Sequence, residues 1–271
     1  VLHTLATGDA TVLSQWAAGL EKLSDQTTFF NFTASHDGIG LRPTEGILSE
    51  AQIWTLVKRA RAHGGAVSFK SNTDGSQSPY ELNINYFDAL SDPAADEPVA
   101  VQIGRFIASQ AIQLAFVGMP GIYIHSLVGS RSWRAGVEKT GRLRTINREK
   151  LDVTEVDAAL DRPATLRAQV FEAYRALLAV RTRERAFHPS GAQTVVAVDP
   201  ALFVLLRTST DGAERVLAVH NVTGGPVTLD LARVGVAGAR GYRDLLSGDE
   251  WAAGDTPLLA PYVVAWLKVV P

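Results

Sequence analysis

Residues 27–40 read TTFFNFTASHDGIG. Thr28 to Phe32 is a run of β-branched and aromatic residues, the composition of a buried strand. It passes directly into the polar loop Ser35-His36-Asp37-Gly38. A His-Asp pair at the C-terminal end of a buried parallel strand lies where (β/α) barrels place their reacting groups. A carboxylate there stabilises positive charge, and an imidazole hydrogen-bonds hydroxyls. Spacing alone equally admits a capped strand end, with Asp37 bonding nearby backbone N–H groups.

Around this stretch the pattern is that of parallel βα units. Upstream, Leu2 to Leu23 has helical spacing, with Leu13, Trp16, Ala17 and Leu20 on one face. Downstream, Ser49 and Gln52 spell a capping box, Leu48 and Ile53 a staple, and Gly64 a left-handed stop. Ile53, Leu56, Val57 and Ala60 form the buried stripe of that helix. Residues 66–96 read as an excursion, with turn chemistry at Ser71 to Ser76 and no clean period from Pro79 to Leu90. A helix follows Pro98, with Val99, Ile103, Phe106, Ile107 and Leu114 inward. Gly121 to Leu127 is expected as a second strand, and Pro163 as the opening of a third helix.

After about Ala186 helical spacing stops. Short alternating stretches appear at Gln193–Val198, Leu202–Thr208, Arg215–Asn221, Val227–Leu231, Tyr242–Leu246 and Tyr262–Val269. The predicted fold is therefore α/β plus all-β. Residues 1–185 form the C-terminal part of a (β/α)8 TIM barrel, and residues 186–271 a small antiparallel β-sandwich with its own core. Two parallel strands cannot close a barrel. The chain also opens Val1-Leu2-His3-Thr4, with Met119 its only methionine, and so reads as starting inside a longer protein.

With 271 residues, 46% of them apolar, and a net charge of −2, the composition is that of a globular protein. It argues against a nucleic-acid binder, which carries basic excess, and no apolar run is long enough to span a membrane. With no cysteine, and no spacing of histidines or carboxylates that suits a metal, neither metal nor cofactor is expected.

Two further regions carry chemistry. Gly129 to Lys150 holds seven Arg and Lys residues, among them Arg144 and Arg148, against Glu138 and Glu149. Such an excess suits an anion, or a solvated loop paired with the acidic stretch Asp152 to Asp161. Trp133 within it suits stacking or a small satellite core. Tyr80-Glu81-Leu82-Asn83-Ile84-Asn85-Tyr86-Phe87 offers amides, a carboxylate and aromatic faces, the mixture of a carbohydrate site or of a packed loop. His125, placed mid-strand, reads as a hydrogen-bonded structural residue.

Several of these motifs together resemble glycoside hydrolase family 13. Residues 29–40 resemble its fourth signature region, with the Gly38-Ile39-Gly40 extension of the sucrose phosphorylase-like subfamily. Residues 78–90 resemble that subfamily's substrate loop, and residues 118–123 the eighth barrel strand. Residues 141–148 resemble the acceptor-side loop, and residues 242–248 and 259–262 the family's C-terminal β-domain. The resemblance implies a retaining α-glucosyl phosphorylase acting on a small α-glucoside with inorganic phosphate, in the cytoplasm. A hydrolase or transglucosylase of the same family, or a non-catalytic carbohydrate-binding chain, is the alternative. It implies Asp37 as transition-state stabiliser, with His36 on the hydroxyls of the cleaved glucose. Tyr80, Glu81, Arg144 and Arg148 fall on substrate, acceptor and phosphate. Glu81 stands where the sucrose-specific members have glutamine, a departure that counts against fructose as acceptor; the sequence alone leaves fructose, its phosphate, glycerate and glycerol open. The nucleophile and acid/base of such enzymes, about 5 Å apart, precede the fourth region. No candidate for either is seen here, so the chain alone is expected to be inactive and to need the missing barrel half, or another chain, on its open edge.

Overall fold

The N-terminal segment forms two short helices, α1 (Leu2–Thr7) and α2 (Thr11–Ala18), in place of the single helix expected over 2–23. Gly8 at φ 70° ends the first, and the Asp9 carboxylate accepts from the Thr11 N–H to restart the chain as the second. The fold is that of a computed structural model describing residues 1–21, 24 and 26–271; Leu23 lies outside the described residues. Strand β1 (Phe30–Asn31) is shorter and more open than the expected buried run, with Phe30 69% and Phe32 56% exposed. Strand β2 (Ile39–Gly40) follows the His-Asp loop.

Helix α3 (Glu50–Ala62) forms as its signals require. Ser49 Oγ accepts from the Gln52 N–H, and Gln52 Oε1 accepts from the Ser49 N–H at 2.8 Å. Gly64, at φ 79°, turns the chain away. The expected excursion is in fact ordered as a hairpin, β3 (Ala66–Ser71) and β4 (Gln77–Asn83), followed by the buried helix α4 (Tyr86–Leu90). β2 lies on the free edge of β4, giving the order β2-β4-β3. Ser68 pairs with Glu81 and Phe69 with Pro79, so Tyr80 is the extra residue of a β-bulge.

Helix α5 (Val99–Ala115) is buried along most of its length and leads into β5 (Met119–Pro120), which pairs with β1 in parallel. The strand expected over 121–127 thus ends early, and Ile124–Leu127 is the short helix α6. An apolar run of this length does not by itself separate strand from helical turn. Gln113 of α5 fastens the pair. Its amide donates to the Asn31 carbonyl (3.1 Å) and the Gly121 carbonyl (2.8 Å) and accepts from Thr33 Oγ1 (3.0 Å). Helices α7 (Arg134–Thr140) and α8 (Val153–Leu160) flank a 3-10 turn at Leu143–Asn147. Helix α9 (Leu166–Arg183) starts at a Thr165 cap, slightly later than Pro163 suggested, and packs on α5.

The strands β6 (Ala192–Val195), β7 (Leu202–Thr208) and β8 (Arg215–Asn221) follow, then β9 (Val227–Thr228). The stretch expected as strand through Leu231 turns instead into α10 (Leu231–Val234), capped by Asp230. Last come β10 (Gly241–Asp244), β11 (Glu250–Ala252), β12 (Leu258–Leu259) and β13 (Val264–Val270). They make an antiparallel sheet, β11-β10-β13-β8-β7-β6, and a two-stranded ribbon of β9 and β12.

Alternation along these strands gives the sheet two apolar faces. Leu202, Val204, Leu217, Val219, Ala265 and Leu267 form one core with Leu229, Leu231 and Val234. Phe203, Leu205, Val216, Ala218 and Trp266 join the core of α5 and α9. Phe203 lies 5.5 Å from Phe116, and Trp266 4.6 Å from Phe187. Chain order passes from helix to strand between Arg183 and Ala192, but the core crosses that boundary. Among the described residues no helix is long and apolar enough to cross a membrane.

Candidate functional site

The C-terminal ends of β1 and β5 open onto one cleft, where the His36–Asp37 loop, β4 and the turn at Leu143–Asn147 meet. Gly38 makes the approach possible: a Cβ there would lie 2.5 Å from the Leu82 carbonyl and 2.6 Å from Glu81 Cγ. Only glycine brings the Asp37 loop this close to β4. Asn147 joins the third wall, its side-chain amide donating to the Asp37 carbonyl (2.9 Å) and to that of Ile84 (3.3 Å).

Two arginines converge on Asp37. Arg148 Nη2 donates to Asp37 Oδ1 at 2.6 Å, and its Nε donates to the His36 carbonyl at 2.8 Å. Arg144 Nη1 lies 3.3 Å from the same carboxylate oxygen. Its other edge makes a two-point pair with Glu81, Nε to Oε1 at 2.9 Å and Nη2 to Oε2 at 2.7 Å. Glu81 is 4% exposed, so its charge is buried with a planar, matched partner. The hydrogen bonds to Glu81, and then its charge, raise the Arg144 pKa further. Both arginine side chains stay 41% exposed, and among the described residues Arg148 Nη1 takes no partner. The cleft therefore has N–H groups to offer an incoming anion, and a carboxylate whose charge those same arginines hold in place.

His36 Nε2 is 3.8 Å from Asp37 Oδ1, with its side chain largely exposed. Tyr80, half-exposed at the β4 bulge, is adjacent to Glu81. All six residues singled out in the sequence thus fall in one region; for Tyr80 this rests on its place at the bulge.

Two other arginines of the basic segment are structural, while Lys139, Arg142 and Lys150 are exposed. Arg131 pairs with the buried Asp88 at 2.8 Å and lies over the Phe87 ring. Arg134 donates to the His63 carbonyl (3.0 Å). Trp133 packs over Gly136 and stays half-buried, outside both apolar cores. The stretch 152–161 is helix α8, with Asp152 accepting from the Thr154 and Glu155 N–H groups, rather than a counter-charge for this loop. His125 lies in α6 and not in a strand, and is hydrogen-bonded as expected, to Ser130 Oγ and the Glu149 carbonyl. Tyr123 and Asn147 were missed. Both act through backbone carbonyls of distant residues, and only the single aromatic letter after Gly121 hinted at either.

No protein-family model matches the chain. It is 46% identical over 223 residues to a glucosylglycerate phosphorylase of Spirochaeta thermophila, covering 82% of this chain and 38% of the relative. It is 43% identical over 267 residues to a glucosylglycerate phosphorylase of Allomeiothermus silvanus, covering 98% of this chain and 45% of the relative. The chain thus spans less than half the length of these curated relatives. Among solved structures, the sucrose 6F-phosphate phosphorylase of Thermoanaerobacter thermosaccharolyticum superposes with a TM-score of 0.67 at 20% identity, over 82% of this chain and 41% of that one. That likeness shows the fold, the C-terminal part of a TIM-barrel enzyme with a sheet domain.

Proposed function

We propose, on the premise that the chain belongs with the C-terminal portion of the sucrose phosphorylase-like enzymes of glycoside hydrolase family 13, that it serves a retaining α-glucosyl phosphorylase. In this reading residues 1–185 are barrel and residues 186–271 the sheet domain. Glucose passes from a small α-glucoside to inorganic phosphate, giving glucose 1-phosphate and a free acceptor. The observation that carries the reading is the pair Arg144 and Arg148 gathered on Asp37, in a chain whose relatives are named phosphorylases.

Asp37 faces the positive charge that develops on the sugar ring, where a fixed carboxylate acts most strongly in the transition state. His36 bonds the hydroxyls of that glucose. Arg144 and Arg148 take the anion, and Glu81 fixes the plane of Arg144. Glycerate is the acceptor favoured by the relatives' names. It carries a carboxylate, so one arginine pair would serve acceptor and phosphate in turn. The attacking carboxylate and the proton donor lie on barrel strands outside this chain, which alone is inactive. The open faces of Phe30, Phe32 and Met119 are where that barrel half seats.

The test is phosphate-dependent release of glucose 1-phosphate by the full-length enzyme, from glucosylglycerate, glucosylglycerol and sucrose. Glucosylglycerate should be the fastest. Free glucose released at a rate indifferent to phosphate would replace the phosphorylase with a hydrolase.

A further inference from the structure

The loop that carries Arg148 is gripped at two points that the proposed chemistry does not use. Tyr123 and His125 stand two residues apart between β5 and the basic segment. The Tyr123 hydroxyl donates to the Asn147 carbonyl at 2.5 Å, and His125 Nε2 meets the Glu149 carbonyl at 3.0 Å. Asn147 and Glu149 are the two neighbours of Arg148, so the backbone is held on both sides of that one residue. The two rings meet edge to face at 5.2 Å, each limiting the other's rotation.

The hydrogen-bond direction is determined along the whole line. A carbonyl only accepts, so His125 Nε2 carries the proton. In the neutral ring Nδ1 then accepts from the Ser130 hydroxyl at 2.8 Å. Ser130 Oγ in turn accepts from Arg167 Nη1 of α9 at 3.2 Å. Donors therefore run one way, from α9 through Ser130 and His125 to the loop. Burial lowers the His125 pKa and favours the neutral ring this line requires. His125 is 4% and Ser130 2% exposed, so water does not replace them. The same loop reaches the site through Asn147, whose amide holds the Asp37 carbonyl.

We propose that Tyr123 and His125 are positioning residues, which fix the backbone on either side of Arg148 so that its guanidinium meets Asp37 and an incoming anion in one geometry. The inference rests on the anion-binding role given to Arg148 above. In the full-length enzyme, Tyr123→Phe and His125→Leu should each raise the KM for phosphate about five- to tenfold, the effect of one lost neutral hydrogen bond. The KM for the glucoside should stay about unchanged. His125→Gln, which keeps a donor near the place of Nε2, should recover most of the loss. In an Arg148→Ala background neither variant should add to the defect, because both act through the missing side chain. Equal effects in both backgrounds would overturn the proposal. A crystal structure of the Tyr123→Phe/His125→Leu enzyme decides separately. If Arg148 still sits on Asp37 as before, the positioning role falls, whatever phosphate does. If Arg148→Ala itself leaves the phosphate KM untouched, the anion-binding reading fails instead, and the crystal structure alone then judges the positioning.

Discussion

Gly38 marks the point where the Asp37 loop lies against the backbone and side chain of β4. An added methyl would collide with the Leu82 carbonyl and Glu81 Cγ, and neither is the free end of a flexible side chain. Gly38→Ala should therefore push the Asp37 loop away from β4 and lower kcat of the full-length enzyme by at least about tenfold, given that small displacements of catalytic groups are costly. Steady-state kinetics beside a melting curve would separate this from global unfolding, and unaltered kcat would remove Asp37 from the chemistry. Asp37→Asn should lower kcat severely with substrate KM much less changed, since its interaction is made mainly in the transition state. Near-normal turnover would leave it a capping residue. At this scale the sequence was legible where residue type marks a place: the His36–Asp37 pair, Arg144, Arg148 and Glu81 do meet in space. Tyr123 and Asn147 were not legible, because each acts on a main-chain carbonyl that any residue could supply.

Among the elements, helix α3 was readable because its start is written in side chains that bond their own backbone and its stop in a glycine at positive φ. The strands at the cleft were readable in place but not in extent. β1 and β5 are two residues each, too short for alternation to register, and a glutamine just before β5, distant from β1 in sequence, helps to align them. The hairpin over 66–83 was hidden by its bulge, which breaks the period at Tyr80. Gln113→Leu would leave the Gly121 carbonyl short of its partner in a part-buried place, while the Asn31 carbonyl keeps the Gly121 N–H at 2.7 Å and Thr33 Oγ1 keeps Gln110 Oε1 at 3.2 Å. We expect it to cost about 1–2 kcal/mol of stability, the penalty of one orphaned carbonyl. Urea denaturation of wild type and variant would measure it, and a loss below the error of extrapolation would show that water takes the amide's place.

For the molecule as a whole, the break between helix-rich and strand-rich halves was visible as a change of period. That the halves share a core was not, since alternation shows that a strand has an apolar face and not what covers it. Residues 186–271 expressed alone would expose Phe203, Leu205, Val216, Ala218 and Trp266, each large side chain forfeiting roughly 1.5–3 kcal/mol. This differs from the independent stability expected of an isolated sandwich, and the segment should bind a hydrophobic dye and show weak amide protection. His220 gives the shared core a pH limit. Its Nδ1 bonds the Phe203 carbonyl, its Nε2 meets no hydrogen-bond partner among the described residues, and burial pulls its pKa down to about 4. Between pH 6.5 and about 4 the unfolded chain binds a proton there that the folded chain refuses. Stability is therefore full above pH 6.5 and falls with acid, by up to about 3 kcal/mol from this residue. Unfolding midpoints at pH 7 and pH 5 would show the drop, and His220→Phe should flatten it; an equal slope in the variant would assign the loss elsewhere.

The two-faced sheet also limits how such enzymes can be recombined. Arg207, buried beneath β7, donates to the carbonyls of Ala115, His188 and Ala192, so it belongs to both sides of the helix-to-strand boundary. A chimera joined between Arg183 and Ala192 would cut a loop in the chain but a single jigsaw in space. Swapping the sheet as a cassette should then succeed only when α5 and α9 travel with it, so that the inherited unit includes the helices that shape the cleft.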